Sequence, residues 1–153
     1  MDSLKDKAFI FGSIFTLSNK LQILGDRLDR NLTVKQWLLL AGIYNCGNSS
    51  PSISEVARII GNSRQNVKKM LVILENLGFV TIENDPNDAR TQKIRMTEKC
   101  LDYLKQRERK EIDFLEQLFE GFQPSELKEL VRGIMKLENN MESIARSVSD
   151  EKE

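Results

Sequence analysis

Residues 61–83 read GNSRQNVKKMLVILENLGFVTIE. The Gly61-Asn62 pair is typical of a turn, and Ser63 is a favoured residue at a helix N-cap. The apolar side chains that follow recur at spacings of three and four. They predict a helix to about Leu77, with Gly78 in the left-handed position that stops helices. After Gly78 the apolar spacing becomes two, as in a half-buried strand. The stretch therefore predicts a turn, a helix and a strand in close succession.

Two capping-box sequences precede this stretch. In Thr33-Val34-Lys35-Gln36 and in Ser52-Ile53-Ser54-Glu55, a hydroxyl residue is followed three positions later by Gln or Glu. Each side chain of such a pair can satisfy the backbone N–H of the other residue. The first box predicts a nearly all-apolar helix through Tyr44, and the second predicts a short helix through about Ile60. Turn-forming residues at 45–51 separate the two helices.

A hairpin pattern follows the helix that begins at Ser63. Residues 79–83 and 92–96 alternate apolar and polar side chains, and residues 84–91 between them are rich in Asn, Asp and Pro. This pattern predicts two strands joined by a loop at residues 84–91. Two short helices separated by a glycine-containing turn and followed by a hairpin are typical of a winged helix-turn-helix. The expected fold class is mostly α with a small β-hairpin wing.

Long helices are predicted on both sides of this unit. Residues 4–30 carry apolar side chains over an arc wider than a lone surface helix needs, so another surface must cover it. Thr97 begins a charged helix to about Phe119, and Pro124 opens a last helix to about Ser147. Residues 149–153 are expected to form a frayed tail.

The composition excludes several classes of function. The chain has no histidine, which removes Ser-His and Cys-His nucleophile pairs and His-ligated metal sites. It also lacks a Gly-rich phosphate loop and clustered metal ligands, so we expect no enzyme activity, no catalytic residue, no metal and no cofactor. No apolar run approaches the roughly 18 residues of a membrane-spanning helix, and the N-terminus lacks the apolar core of a signal peptide. We therefore expect a cytoplasmic protein with no membrane partner.

The helix that begins at Ser63 has one apolar face and one face of hydrogen-bond donors. At about 100° per residue, Val67, Met70, Leu71, Leu74 and Leu77 share one arc, whereas Gln65, Lys68, Lys69 and Val72 share the opposite arc. The first acid on this helix is Glu75. Amide and cationic donors suit base edges in the major groove of DNA. The candidate major-groove residues are Ser63, Arg64, Gln65, Asn66, Lys68 and Lys69. The simpler alternative is the solvated face of a core helix.

Charge and the hairpin loop support contact with a polyanion. Residues 58–96 contain seven Lys and Arg against four Asp and Glu, a small basic surplus. Arg90 lies in the predicted loop beside Asp85 and Asp88, where an Asp could orient the guanidinium for entry into the minor groove. The alternative is a local ion pair on a solvated loop. The candidate minor-groove residues are Arg90 and Asp88, and the candidate contacts to the DNA backbone are Ser52, Ser54, Lys93 and Arg95.

Several segments together resemble the MarR family of bacterial regulators. They are Leu32-Thr33-Val34-Lys35-Gln36-Trp37, Ser54-Glu55-Val56-Ala57, Ser63-Arg64-Gln65-Asn66-Val67, Leu74-Glu75-Asn76-Leu77-Gly78-Phe79-Val80, Asp85-Pro86-Asn87-Asp88-Ala89-Arg90 and Met96-Thr97-Glu98-Lys99. The resemblance covers nearly the whole chain, and the Asp-x-Arg of the wing is its most specific part. One departure is Cys100, at a position where the family usually has Gly.

The resemblance implies a DNA-binding homodimer. Residues 31–97 would form the winged DNA-binding lobe, and residues 1–30 and 98–148 would form interleaved dimerisation helices. Its expected partners are double-stranded DNA, a second copy of the chain and a small-molecule effector that relieves repression. An effector would bind between the dimerisation helices and the lobe, where the candidate residues are Phe15, Trp37, Tyr44 and Tyr103. For each of these aromatics, ordinary packing is the simpler interpretation.

Cysteine chemistry and two other functions complete the expectations. Cys100 lies in a first helical turn beside Lys99, which favours a low thiol pKa more than the position of Cys46 does. Peroxide-sensing members of the family carry their reactive cysteine in the first helix, where this chain has none. We therefore expect buried, inert thiols. The alternative function is a winged-helix protein-interaction module that does not touch DNA. RNA binding is disfavoured because outward-facing stacking aromatics are absent.

Overall fold

The computed structural model describes residues 3–150 of the chain. In chain order their elements are α1 (Ser3–Leu28), α2 (Val34–Asn45), α3 (Ile53–Ile60), α4 (Arg64–Asn76), β1 (Val80–Asp85), β2 (Asp88–Met96), α5 (Glu98–Leu118) and α6 (Pro124–Asp150). This order is the winged helix-turn-helix that the sequence predicts, with long helices before and after it. The chain divides within α5, between Glu108 and Arg109, into two compact units.

Both predicted capping boxes are confirmed. At the start of α2, the N–H of Gln36 donates to the Thr33 hydroxyl at 3.2 Å and the N–H of Thr33 donates to the Gln36 amide oxygen at 3.0 Å. At the start of α3, the N–H of Glu55 donates to the Ser52 hydroxyl at 3.2 Å and the N–H of Ser52 donates to the Glu55 carboxylate at 2.6 Å. Each box satisfies backbone donors that the helix itself leaves open, so these helix starts are set locally.

The stops after α3 and α4 are glycines in the left-handed conformation. Gly61 has a φ of +66° and donates its N–H towards the carbonyls of Ala57 and Arg58. Gly78 has a φ of +75° and follows the C-cap Leu77. Because side chains other than that of glycine rarely adopt this φ, these residues end the two helices where the sequence predicts.

One hydrophobic core holds α2, α3, α4 and the hairpin together. Gly42 lets α2 approach α3, since a Cβ at this position would lie 2.6 Å from Cγ2 of Ile60. The buried apolar residues of the core are Leu32, Leu39, Leu40, Ile43, Ile53, Val56, Ala57, Val67, Leu71, Leu74, Phe79, Val80, Ile94 and Cys100. The core fixes α4 by one face only and leaves its other face in solvent.

The wing is tighter than the sequence predicts. The strands pair in antiparallel register from Val80↔Met96 to Asn84↔Gln92. The register then shifts to the pair Asp85↔Asp88, and only Pro86 and Asn87 lie between the two strands. The expected loop at residues 84–91 is therefore wrong. The physical reason is the Asp85 carboxylate, which accepts the N–H of Asn87 at 2.9 Å and folds the chain back at once.

The second edge of β2 is also paired. The N–H of Ile94 donates to the Pro51 carbonyl at 2.9 Å, and Ser52 forms an antiparallel bridge with Lys93. The segment before α3 thus acts as a third short strand. The sequence does not predict it, because a two-residue bridge has no alternating pattern of its own.

The ends of the outer helices differ from the prediction. The N–H of Asn31 donates to the Asp29 carboxylate at 2.8 Å in a turn that follows α1, which ends at Leu28. At the other end, α6 includes Ser149, whose hydroxyl donates to the Ala145 carbonyl at 3.0 Å. The expected frayed tail at residues 149–153 thus begins within the last turn of α6, and residues 151–153 lie outside the described part of the chain.

Apolar side chains are exposed along α1 and along α6. In α1 only Gly25 is buried, and in α6 no described residue is buried. The exposed large apolar residues of α1 are Leu4, Phe9, Ile10, Phe11, Ile14, Phe15, Leu17, Ile23, Leu24 and Leu28. Those of α6 are Leu130, Val131, Ile134, Met135, Leu137, Met141, Ile144 and Val148. None of the helices in the described residues has the length and hydropathy that crossing a bilayer requires.

Candidate nucleic-acid interface

The outer face of α4 presents donors that the chain does not use. Val67, Leu71 and Leu74 bury the inner face of this helix, as its apolar spacing predicts. Four side chains on the outer face are exposed and, within residues 3–150, make no hydrogen bond or ion pair. They are Arg64, Gln65, Lys68 and Lys69. Three cations and an amide are thus held on a rigid helix with every side-chain donor available to a ligand.

Two other candidates on this helix serve to start it. The Ser63 hydroxyl accepts the N–H of Asn66 at 3.2 Å, which is the N-cap bond of α4. The Asn66 amide donates to the Asn62 side-chain oxygen at 3.2 Å, and that oxygen also accepts the N–H of Ser63 at 2.8 Å. Ser63 and Asn66 are exposed, but the Ser63 hydroxyl oxygen and the Asn66 side-chain nitrogen already form hydrogen bonds in the turn before α4.

The guanidinium of Arg90 is not held by either neighbouring aspartate. Asp88 instead accepts the backbone N–H of Arg90 and the hydroxyl of Thr91, each at 3.0 Å. Asp85 binds the N–H of Asn87 at 2.9 Å and lies 3.9 Å from the Lys93 ammonium. The expected contact between Asp88 and the guanidinium is therefore wrong, because Asp88 begins β2 and its carboxylate reaches the backbone two residues on. Arg90 is exposed and, among the described residues, its guanidinium has no ion pair.

Lys93 is less available for phosphate contact than its outward position on the strand implies. It is half-buried, and its ammonium lies 3.9 Å from the Asp85 carboxylate. Hydrogen bonds from Ser52 hold the pKa of Glu55 below its usual value, and the charge of Lys93 lowers it further. Lys93 therefore lies near two acids, Asp85 of β1 and Glu55 of α3, and the bridge between Ser52 and Lys93 brings the second of them close. Arg95, by contrast, is exposed.

The remaining candidates for contact with the DNA backbone lie at the start of α3. Ser52 is half-buried, and its hydroxyl caps the helix through the N–H of Glu55. Ser54 is exposed one residue inside the helix. The structure therefore leaves Ser54 and Arg95 as the more accessible of the four backbone candidates.

Of the aromatic candidates for an effector cavity, Tyr103 lines the open groove on α5. Phe15 and Tyr44 are 59% and 68% exposed, whereas Trp37 and Tyr103 pack against the core. Tyr103 lines an open groove of about 480 Å³ whose other walls are Glu98, Lys99, Asp102 and Gln106 of α5. The other three aromatics do not line that groove, because they lie on α1 and α2.

A polar cluster around Asp29 was not predicted. The Tyr103 hydroxyl donates to the Asp29 carboxylate, and the Arg107 guanidinium lies 3.3 Å from the same carboxylate oxygen. Burial alone would raise the pKa of Asp29, but hydrogen bonds from Tyr103, Asn31 and Leu32 and the charge of Arg107 outweigh it and lower the pKa. The pKa of Tyr103 is raised by burial and by its bond to Asp29. The cluster ties the segment after α1 to α5, across 74 residues of sequence.

The Cys100 thiol is not an activated nucleophile. Cys100 is completely buried, and desolvation raises its pKa to about 11. The position at a helix start favours a low thiol pKa, but the effect of burial is larger. The raised pKa agrees with the inert thiol that we expected at Cys100. Cys46 is half-buried and its sulfur lies 3.0 Å from the Asn48 carbonyl. Within residues 3–150, no group of acids and cysteines could hold a metal ion.

Comparison with solved structures identifies the fold. No protein-family model matches the chain. A MarR protein from Peptoclostridium difficile superposes with a TM-score of 0.79 at 22% identity, over 94% of this chain and 90% of that one. A MarR family transcriptional regulator from Streptomyces coelicolor, in complex with DNA, superposes with a TM-score of 0.72 at 21% identity, over 89% and 88%. An organohalide-sensing transcriptional regulator with 2,4-dichlorophenol bound gives 0.76 at 18% identity, over 91% and 83%. The chain has the fold of these regulators.

Proposed function

We propose that this chain is a cytoplasmic MarR-family transcriptional regulator that binds double-stranded DNA as a homodimer at a palindromic operator. The observation that carries the proposal is the outer face of α4, where Arg64, Gln65, Lys68 and Lys69 are exposed and without internal partners. The fold supports the proposal, because one of the regulators that the chain resembles was solved in complex with DNA.

The chemistry of this face suits the major groove. Arg and Lys donate to the O6 and N7 acceptors of guanine, and Gln can bond an adenine edge through both amide atoms. The first acid on α4 is Glu75, close to the C-terminal end of the helix, so no carboxylate repels the phosphates beside the leading turns. The α4 helix is anchored through its buried face, which limits the ordering that binding requires.

The wing extends the same interface. The exposed guanidinium of Arg90 is carried on β2 near its two-residue turn, in the stretch between Asp88 and Gln92 where the strand register shifts. An arginine gains from the enhanced negative potential of a narrow minor groove. We assign Arg90 to the minor groove and Asp88 to ordering the backbone that carries it.

Dimerisation would account for the exposed apolar residues of the outer helices α1 and α6. Large apolar residues are exposed along both α1 and α6, and exposed apolar surface that runs along a helix is typical of an interaction site. A second copy of the chain offers the same surfaces, and a two-fold pair would present two α4 helices to successive major grooves. A homodimer would thus cover both apolar faces, and its two-fold symmetry predicts a palindromic operator.

Repression relieved by a small molecule is the regulatory part of the proposal. Its support is the fold neighbour that binds 2,4-dichlorophenol and the open groove beside Tyr103. The Tyr103 groove lies on the same helix as the cluster with Asp29, so a ligand there would meet a polar element that ties α5 to the segment after α1.

The test is selection of bound fragments from the host genome by the purified chain. The wild type should enrich one palindromic sequence, and Gln65→Ala/Lys69→Ala should lose that enrichment. Lys110→Ala/Gln117→Ala is the matched control, since it removes an exposed Lys and Gln from α5 and should keep the enrichment. A wild type that enriches no sequence, and does not shift the upstream region of its own gene in a gel, would instead favour the protein-interaction module.

A further inference from the structure

One apolar residue lies in the middle of the donor-rich face of α4. Val72 is 58% exposed, and the buried residues Val67, Leu71 and Leu74 lie on the opposite side of the helix. On a helical projection of about 100° per residue, Val72 falls between Lys68 and Lys69 and nearly in line with Gln65. The donors therefore surround an apolar spot.

The fold gives no reason for a valine at this position. Val72 is absent from the hydrophobic core and from the partly buried residues that pack against it. A β-branched residue also has a lower helix propensity than Lys, Gln or Glu, which suit an exposed helical position better. An exposed valine among donors therefore favours a ligand that has an apolar spot beside its polar atoms.

We propose that Val72 contacts the C5-methyl group of a thymine in each operator half-site and is a specificity-determining residue. In the major groove, thymine alone of the four bases presents a methyl group, and apolar side chains distinguish it by that group. This assignment rests on the proposed DNA-binding function and adds to it the base that the apolar spot selects.

The position of Val72 along α4 specifies where that thymine lies. Gln65 and Val72 are seven residues apart, which is about 10 Å along a helix axis. At a rise of about 3.4 Å per base pair along the DNA axis, this distance spans at most about three base-pair steps. The thymine should therefore lie within about three base pairs of the base pair that Gln65 contacts.

The experiment replaces each operator thymine in turn by deoxyuridine, which removes only the C5-methyl group. For the wild type, one position per half-site should lower affinity by about fourfold, as expected for burial of one methyl group, or about fifteenfold when both half-sites are changed. Val72→Ala should lose a similar factor on the natural operator and become insensitive to deoxyuridine at that position. Circular dichroism of Val72→Ala checks that the helix content is unchanged.

Ile73→Ala is the matched control, because Ile73 is also exposed and apolar on α4 but points a quarter turn away. It should keep the deoxyuridine profile of the wild type. A wild type that binds its operator with no deoxyuridine-sensitive thymine, or a Val72→Ala variant that keeps the sensitivity, overturns the assignment and leaves the DNA-binding proposal intact. A wild type that binds no operator overturns both.

Discussion

The Asp88 carboxylate accepts the backbone N–H of Arg90, with 3.0 Å between Asp88 Oδ1 and Arg90 N. Its second oxygen accepts the Thr91 hydroxyl at 3.0 Å. Asp88 therefore orders the first residues of β2 and leaves the guanidinium of Arg90 unpaired by it. The two residues of the wing motif therefore have different roles: Asp88 orders the backbone of β2, and the Arg90 guanidinium is available to DNA.

The first prediction concerns Arg90. Arg90→Ala should lower operator affinity strongly and abolish a preference for A·T-rich flanks, because narrow A·T-rich minor grooves attract arginine. Arg90→Lys should recover little, since an ammonium is more strongly hydrated than a guanidinium. Binding to operators with A·T-rich and G·C-rich flanks at one salt concentration measures this. Equal flank preference in the wild type and Arg90→Ala would show that the wing does not enter the minor groove.

Asp88→Ala provides the complementary variant in the same assay. It should weaken binding less than Arg90→Ala and should not change the flank preference, because the charge of Arg90 remains, while its backbone N–H and the Thr91 hydroxyl each lose one hydrogen bond. An Asp88→Ala effect as large as that of Arg90→Ala would mean that the carboxylate acts on the guanidinium in the complex.

The second prediction separates Lys93 from Arg95 by salt dependence. Arg95 is exposed, so Arg95→Ala should weaken binding to all sequences alike and make the salt slope shallower by about one for each lost phosphate contact. Lys93 lies 3.9 Å from Asp85 and beside Glu55, so Lys93→Ala should change the slope by much less. The affinity of each variant, measured at several salt concentrations, gives the two slopes that are compared. A larger change in the salt slope for Lys93→Ala than for Arg95→Ala would show that Lys93 leaves its acidic neighbours and contacts phosphate when DNA binds.

The third prediction concerns assembly. The wild type should have about twice the mass of one 17.6 kDa chain in light scattering. Ile134→Asp should dissociate the pair, since burying an unpaired charge at an interface costs several kcal/mol, in the range of about 2–5. Val72→Asp is the matched control, because Val72 and Ile134 are 58% and 56% exposed in one chain. A stable folded monomer of the wild type at micromolar concentration contradicts the homodimer.

Sequence patterns predicted the local features and missed the contacts between distant segments. The capping boxes at Thr33 and Ser52 and the stop at Gly78 depend on residues within one turn, so their spacing is visible in the sequence. The bridge between Ser52 and Lys93 and the bond between Asp29 and Tyr103 join segments 41 and 74 residues apart. No local period in the sequence indicates such pairs. The bridge between Ser52 and Lys93 is also the reason that Glu55 lies near Lys93.

The fourth prediction concerns the Asp29 cluster and pH. The pKa of Asp29 is lowered in the folded chain, so its contribution to stability is complete above about pH 4 and is lost as pH falls through the lowered value. At pH 7, Asp29→Asn should reduce the free energy of unfolding by about 1–3 kcal/mol through weaker bonds to Tyr103 and Arg107. The difference in the free energy of unfolding between the wild type and Asp29→Asn should become smaller as pH falls from 4 to 2.5.

Asp113→Asn is the control in these urea titrations. Its ion pair with Arg109 is exposed, and such pairs contribute roughly 0–1 kcal/mol. A difference between the wild type and Asp29→Asn that stays constant across the pH range would show that the charge of Asp29 does not stabilise the fold.

The most direct test of sequence-specific reading by α4 is a titration of the wild type and Gln65→Ala on the selected operator and on its single-base variants. Gln65→Ala should cost about 1–3 kcal/mol on the operator and flatten the base preference at one position in each half-site, with other positions unchanged. Unchanged affinity and unchanged preference at every position would contradict the assignment of the outer face of α4 as the surface that reads DNA.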